Sequence, residues 1–300
     1  MPAIWRWAFF ECRLHAHDAR VDFMACVADL DDDRQSVAGV LHSLSGHRFS
    51  GAVPLLSAWA ARDTPLSAVP IVWLEWDILD GAPARPLSSV CLDRTFLRPG
   101  LDAPKRHVQG GLVHTLLADI MGERALAAEV ARGLSTCLRE LPEDSCILHA
   151  APLLARGLPR IRITLGLRPG GMLQWLEAVG WPGDREEVAA WLRMMTAPWQ
   201  RVFFQVELDH RIHPHLSVET RLSSERFPER EHWQAFLGRC VGAELVDQAR
   251  AEAALRWPGE SVLVVDDSAM TLRRSAYLKL VLSGGRASEV KAYLGCCRAS

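Results

Sequence analysis

Tyr277-Leu-Lys-Leu-Val-Leu-Ser283, Gly284-Gly285-Arg286 and Ser288-Glu-Val-Lys-Ala-Tyr-Leu294 decide how this chain folds. Both arms alternate. Leu278, Leu280 and Leu282 point one way with Val290, Ala292 and Leu294, and Tyr277 and Lys279 share the other face with Glu289, Lys291 and Tyr293. The glycine pair supplies the turn, because glycine enters positive φ without steric cost. One such hairpin ordinarily turns its charged face to water.

The same unit recurs along the chain, separated each time by helical periodicity. Ile4 to His15 and Arg20 to Ala28 flank His17-Asp18-Ala19 as a first hairpin. Asp29 to Asp33 then either cap a helix or hold Mg²⁺. Helices are expected over Arg34 to Leu44 and Gly51 to Ala61. In Ile71 to Leu79, Trp73, Glu75 and Asp77 oppose Val72, Leu74, Trp76 and Ile78, and Leu87 to Phe96 returns. Val108 to Met121 and Glu123 to Leu141 form the next helix pair. Cys146 to Leu154 and Arg160 to Leu167 make a third hairpin, whose Ile161, Ile163, Leu165 and Leu167 alternate with Arg160, Arg162 and Thr164. After helices over Met172 to Val179 and Arg185 to Met195, Val202, Phe204, Val206 and Leu208 oppose Phe203, Gln205, Glu207 and Asp209. The return strand sets Leu216, Val218 and Thr220 against His215, Ser217, Glu219 and Arg221. Helices over Glu229 to Val241 and Glu244 to Arg256 lead to the closing hairpin. Trp257-Pro-Gly-Glu260 echoes Trp181-Pro-Gly-Asp184, a trace of internal repetition.

Three hundred residues with 49% hydrophobic content can bury a large core, and no linker divides them, so a single domain spanning 1–300 is expected. A net charge of -2 argues against a nucleic-acid partner held by a general basic field. The start Met1-Pro-Ala-Ile-Trp-Arg-Trp7 lacks the pattern of a signal peptide, and no 18-residue apolar run exists, which points to a cytoplasmic protein with no membrane partner. The eight cysteines contain no C-x-x-C and read as reduced thiols. His210, His213 and His215 have a spacing that suits zinc, yet turns need polar residues anyway and no cysteine completes a set, so no metal site is assigned. Nothing resembles a phosphate loop, a Ser-His-Asp pattern or G-x-G-x-x-G, which argues against a nucleotide-binding enzyme.

Helix pairs between hairpins must bury their own apolar stripes, and the leucine and valine face of the sheet is the large apolar surface on offer. Ten antiparallel strands covered on one face either stay open, with a broad polar face in water, or curl until the edges meet. The closed form, an α+β barrel of ten antiparallel strands ringed by helix pairs, encloses a polar lumen.

Five antiparallel hairpins alternating with helix pairs resemble the prenyltransferase barrel of the aromatic prenyltransferases, the ABBA fold. Glu289-Val-Lys-Ala-Tyr293 is similar to the closing strand of the fungal indole prenyltransferases, and Trp73 to Leu79 resembles the strand on which that family places a catalytic carboxylate. The resemblance implies an allylic diphosphate as co-substrate, with Mg²⁺ as a possible companion, and an aromatic small molecule or a precursor peptide as acceptor. It implies that Tyr293 shields the cation, that Lys291 faces the diphosphate, and that Glu75 is the acid. The family's Arg-x-Lys-x-Tyr on the penultimate return strand is His215-x-Ser217-x-Glu219 here, which removes two cations and a tyrosine. With two tyrosines against eleven tryptophans, a cation shield would have to be built from indole faces such as Trp73.

Read on their own, Arg160, Arg162, Arg221, Lys279 and Lys291 would gather cations in one lumen and attract an anion, whether a diphosphate or a carboxylate. Glu75 and Asp77 share a face and would serve as a general base or as ordinary ion pairs. Glu219, His215 and Tyr293 complete the expected lumen. Three functions follow. The first is prenyl transfer from an allylic diphosphate to an aromatic or peptide acceptor. The second is a diphosphate-independent enzyme that tailors a ribosomally made peptide, for example by thioether closure. The third is a barrel that binds peptide without chemistry.

Overall fold

The computed structural model describes residues 5–28, 53–61, 63–79, 82–83, 87–91, 106–121, 128–196, 202–222, 227–265 and 268–298. The acidic run Asp29 to Asp33, the helix expected over Arg34 to Leu44 and the return strand after Cys91 lie outside the described residues. In chain order the strands are β1 (Trp5–Arg13), β2 (Val21–Ala28), β3 (Ile71–Trp76), β4 (Ile78–Leu79), β5 (Ala82–Pro83), β6 (Leu87–Cys91), β7 (Cys146–Pro152) and β8 (Ile161–Leu167). They continue as β9 (Val202–Leu208), β10 (Ile212–Leu222), β11 (Gly259–Val265), β12 (Ser268–Ser283) and β13 (Arg286–Arg298). The α-helices are α1 (Val53–Ala60), α2 (Arg106–Met121), α3 (Ala128–Arg139), α4 (Pro169–Ala178), α5 (Arg185–Met195), α6 (Phe227–Gly242) and α7 (Gln248–Arg256).

Ten strands close into one antiparallel ring in the order β10, β9, β8, β7, β6, β3, β2, β1, β13, β12, and β12 pairs back onto β10. This is the closed ten-stranded barrel that the recurring hairpins and helix pairs imply. Closure gives every edge of the ring a partner, the physical reason an open sheet with this alternation is disfavoured. Strand residues facing out carry the helices: Val206, Ile163, Val218 and Leu280 are buried in one cluster with Trp59, Leu134, Trp175 and Phe236. Each fully buried Leu, Ile or Val there is worth roughly 1.5–3 kcal/mol. A one-residue slip in register would send all of them into the lumen.

The structure adds one strand that the hairpin pattern does not predict. β11 pairs with the first half of β12, Ser268 to Arg274, beyond the ring, while β10 takes the second half from Ala276 onward. Its apolar residues remain in water: Val262 is 66% and Val264 64% exposed. Val262, Leu263 and Val264 are apolar in succession and all exposed, so the stretch carries no period-two alternation that would mark a half-buried strand.

Tryptophan indoles tie backbone segments together outside the ring. Trp181 Nε1 donates to the His213 carbonyl at 3.0 Å, Trp257 Nε1 to Gly295 at 3.1 Å, and Trp175 Nε1 to Cys137 at 3.0 Å. The two Trp-Pro-Gly echoes therefore share a role, each pinning a helix terminus to a barrel strand. The closing turn is held from the same side. Asp184 N donates to the Gly284 carbonyl at 3.0 Å, and the Asp184 carboxylate caps α5 by accepting from Glu186 N and Glu187 N.

Gly285 sits at φ +97°, and a Cβ there would lie 2.6 Å from the Asp184 carbonyl oxygen. Gly285→Ala is expected to cost roughly 1–3 kcal/mol, because both the backbone conformation and the contact oppose it. Urea denaturation measures this, and an unchanged midpoint would mean that the turn does not rest on α5.

Candidate functional site in the barrel lumen

Strand alternation sends Trp7, Phe9, Glu11 and Arg13 of β1 to the lumen, with Asp22, Met24 and Cys26 of β2 and Trp73 and Glu75 of β3. Lys279 pairs with Lys291 and Tyr277 with Tyr293 across the closing hairpin, as the alternation predicts. Arg162, Gln205, Glu207, Ser217 and Glu219 arrive from β8 to β10. Along its axis the lumen divides into two halves of different chemistry.

The first half is aromatic and apolar. Phe9, Cys26, Ile71, Trp73, Cys91, Leu148 and Tyr293 form a buried cluster with Trp7, Met24, Phe203 and Tyr277 packed against it. The Phe9 and Trp73 rings lie 5.5 Å apart, and Phe9 meets Tyr277 edge-on at 5.8 Å. Trp7, Met24, Phe203 and Tyr277 keep part of their surface open. Trp73 and Trp7 bring indole to this wall, whereas Trp59, Trp76, Trp175 and Trp181 serve the packing of helices on strands. Among the described tryptophans, a minority thus line the lumen.

The second half is ionic, and two chains of charge run through it. Asp22 meets Arg13 at 2.6 Å, Arg13 meets Glu11 and Glu289 at 3.7 Å, Lys291 bonds Glu11 at 2.8 Å, and Lys279 stands 3.9 Å from Glu11 and 3.5 Å from Glu219. The other chain passes from Asp77 through Arg156, Glu75, Arg162 and Glu207 to Arg160. Arg156 donates through Nε to Asp77 at 2.7 Å and through Nη2 to Asp77 and Glu75. Lys279 Nζ also donates to Tyr293 Oη at 2.9 Å and to Gln205 Oε1 at 2.8 Å. The space left between these groups is about 60 Å³.

The electrostatics follow from burial and pairing. Burial alone would raise the Glu11 carboxyl, but Lys279 and Lys291 outweigh it and hold the group well below the usual carboxylate range. Asp77 and Glu207 show the same contest, settled downward by Arg156 and Arg162 respectively. Glu219 is raised by burial that Lys279 offsets only in part, and Lys279 is lowered by burial against the pull of Glu11 and Glu219.

The expected site residues Trp73, Glu75, Arg160, Arg162, Glu219, Lys279, Lys291 and Tyr293 are thus brought together in the lumen, with Asp77 at its ionic end. His215 stands at the rim, opposite Ser283. Arg221 lies in register with Tyr277 at the aromatic end. The lumen cations come with carboxylate partners: Glu11, Asp22, Glu207 and Glu289 face the same space, so the lumen is not the positively charged trap that its cations alone imply. Glu11 was legible in principle, since Trp7, Phe9, Glu11 and Arg13 alternate. Arg156 was not, because it sits in a 3₁₀ turn after β7 and reaches across to β3. His210 and His213 both turn toward Asp209, at 2.9 and 2.7 Å, and all eight cysteines are free thiols. Among the described residues no helix is long and apolar enough to cross a membrane.

No protein-family model matches this chain, and no curated protein matches its sequence. Among solved structures it is similar to the crystal structure of AnaPT from Neosartorya fischeri, with a TM-score of 0.52 and 13% identity, covering 95% of this chain and 77% of that one. At that identity the likeness establishes the barrel along nearly the whole chain and leaves the chemistry to be argued from the lumen.

Proposed function

We propose that this prenyltransferase barrel is a natural-product tailoring enzyme that works without an allylic diphosphate. Its aromatic half receives the ring of an aromatic small molecule or of a residue in a precursor peptide. The observation that carries this reading is the pairing of Arg13, Arg156, Arg160, Arg162, Lys279 and Lys291 with carboxylates of the same lumen. A diphosphate entering the ionic half would stand beside Glu11, Glu75 and Glu207. One pair of like charges 4 Å apart costs about 4 kcal/mol at an effective dielectric near 20. The 60 Å³ available suits a few water molecules, against about 300 Å³ or more for an ordinary ligand pocket. Glu75 and Asp77, clamped by one guanidinium, act in this reading as an ionic floor that positions Arg156, and the ligand lies on the aromatic side.

Prenyl transfer is the second reading. What favours it is the likeness of the barrel to an aromatic prenyltransferase, together with an aromatic wall that adjoins the lumen lysines. Calorimetry separates the two. Dimethylallyl and geranyl diphosphate are expected to show no saturable binding at micromolar concentration. Micromolar binding that Lys291→Met abolishes in a salt-dependent way would overturn the diphosphate-independent reading. In that case Glu75→Gln should lower turnover by about 10²- to 10⁴-fold, the usual worth of a general base.

A further inference from the structure

We propose that His149 is a ligand-binding residue of the aromatic half, its Nε2 accepting a hydrogen bond from the ring N–H or hydroxyl of a neutral aromatic ligand. The inference rests on the reading of that half as an aromatic binding site.

His149 stands on β7, opposite Cys91 of β6 and Thr164 of β8, so three strands of the wall converge on it. Its imidazole stacks on Trp73, with centroids 6.1 Å apart and planes 24° from parallel. Trp73 in turn meets Phe9, which joins His149 to the aromatic cluster. Nε2 is sealed from solvent and has no hydrogen-bond partner. Folding therefore strips water from this nitrogen and returns nothing, although a phenyl ring would fill the same place without that cost. An imidazole kept here at such a cost is one whose partner arrives with a ligand.

The surroundings also select the ligand's charge. Cys91, Thr164 and Trp73 place no ionised group against the ring, and burial keeps the imidazole neutral, its pKa pushed down to about 4. Beside His149 itself, a diphosphate or carboxylate finds no countercharge among the described residues. An indole N–H or a phenol O–H finds an acceptor, provided that the ring proton is on Nδ1, and an aromatic wall for the rest of the ring.

Indole and its carbon isostere indene test the assignment, titrated calorimetrically into the wild-type protein, His149→Phe and His149→Gln. The wild type should prefer indole by about tenfold, the worth of one hydrogen bond to a buried partner. His149→Phe should bind both equally, and His149→Gln should recover part of the preference. Equal binding of the two probes by the wild type, or an unchanged preference in His149→Phe, overturns the role of His149 and leaves the aromatic site standing. Binding of neither probe by the wild type overturns both. The unmodified protein gives an independent readout: the ¹⁵N resonance of His149 Nε2 should move when indole is added and stay when indene is added. A resonance indifferent to both also refutes the proposal, whatever the stability of the variants.

Discussion

Lys279→Met is expected to destabilise the fold by about 3–5 kcal/mol, the cost of stripping one partner from a buried ion pair. Lys279 is 5% exposed and Glu11 3%. Lys279 stands between Glu11 and Glu219 and bonds Tyr293 and Gln205. Methionine fills a similar volume but donates nothing. Glu219 then has no lysine beside it, and Glu11 keeps only Lys291 and Arg13 nearby. The loss is therefore dominated by uncompensated charge and not by a cavity. This distinction is measurable. Adding Glu219→Gln to Lys279→Met should return a substantial part of the lost stability in urea denaturation, since it removes a charge that had no partner. A loss below about 1 kcal/mol in the single variant would show that water screens the lumen network as it screens surface pairs.

Acid should destabilise the protein before Glu11, Asp77 and Glu207 titrate. His149 has a pKa near 4 in the folded state because burial disfavours its charged form, against an ordinary value of 6.5. A base whose pKa is depressed by folding binds its proton more readily when unfolded. Its stabilising contribution is thus complete above pH 6.5 and is lost as pH falls from 6.5 toward 4, on the order of 3 kcal/mol in all. Glu11, Asp77 and Glu207 are held below their usual values, and their contribution begins to fail only below about pH 4.5. His114 and His215 are also depressed, mainly by burial, and have the same sign as His149. His149→Phe keeps a flat ring against Trp73 and leaves those two in place. The difference between wild type and variant in thermal midpoint, followed from pH 7 to 4.5, isolates His149. Parallel curves would mean that the imidazole is solvated and charges freely.

The two proposals about ligand are connected through the geometry of the lumen. If the ionic half is a structural floor, variants that weaken it change stability first and ligand affinity second. If it is an anion site, the order reverses. Lys279 and Lys291 separate these cases, because Lys291 has Glu11 at 2.8 Å and Glu289 at 3.3 Å, and is more accessible than Lys279.

Period-two alternation in Tyr277 to Leu294 determined which residues face the lumen, because a strand offers its side chains only two directions and leucine cannot share water with lysine at equal cost. The same local rule placed Ile163, Val206 and Val218 under the helices, and the recurrence of hairpin and helix pair carried the topology. It also put Glu75, Arg162, Lys279 and Lys291 on one side of the wall. What alternation cannot express is distance across the barrel. The reach of Arg156 from the turn after β7 to Glu75 and Asp77, the meeting of Glu11 with both lysines, and the isolation of His149 Nε2 against Trp73 depend on how ten strands close. Charge pairing is decided by separations of a few ångströms between residues up to 280 positions apart in the chain. For that reason the cations of this lumen were visible in the sequence, and only the tertiary structure could show that they were already neutralised.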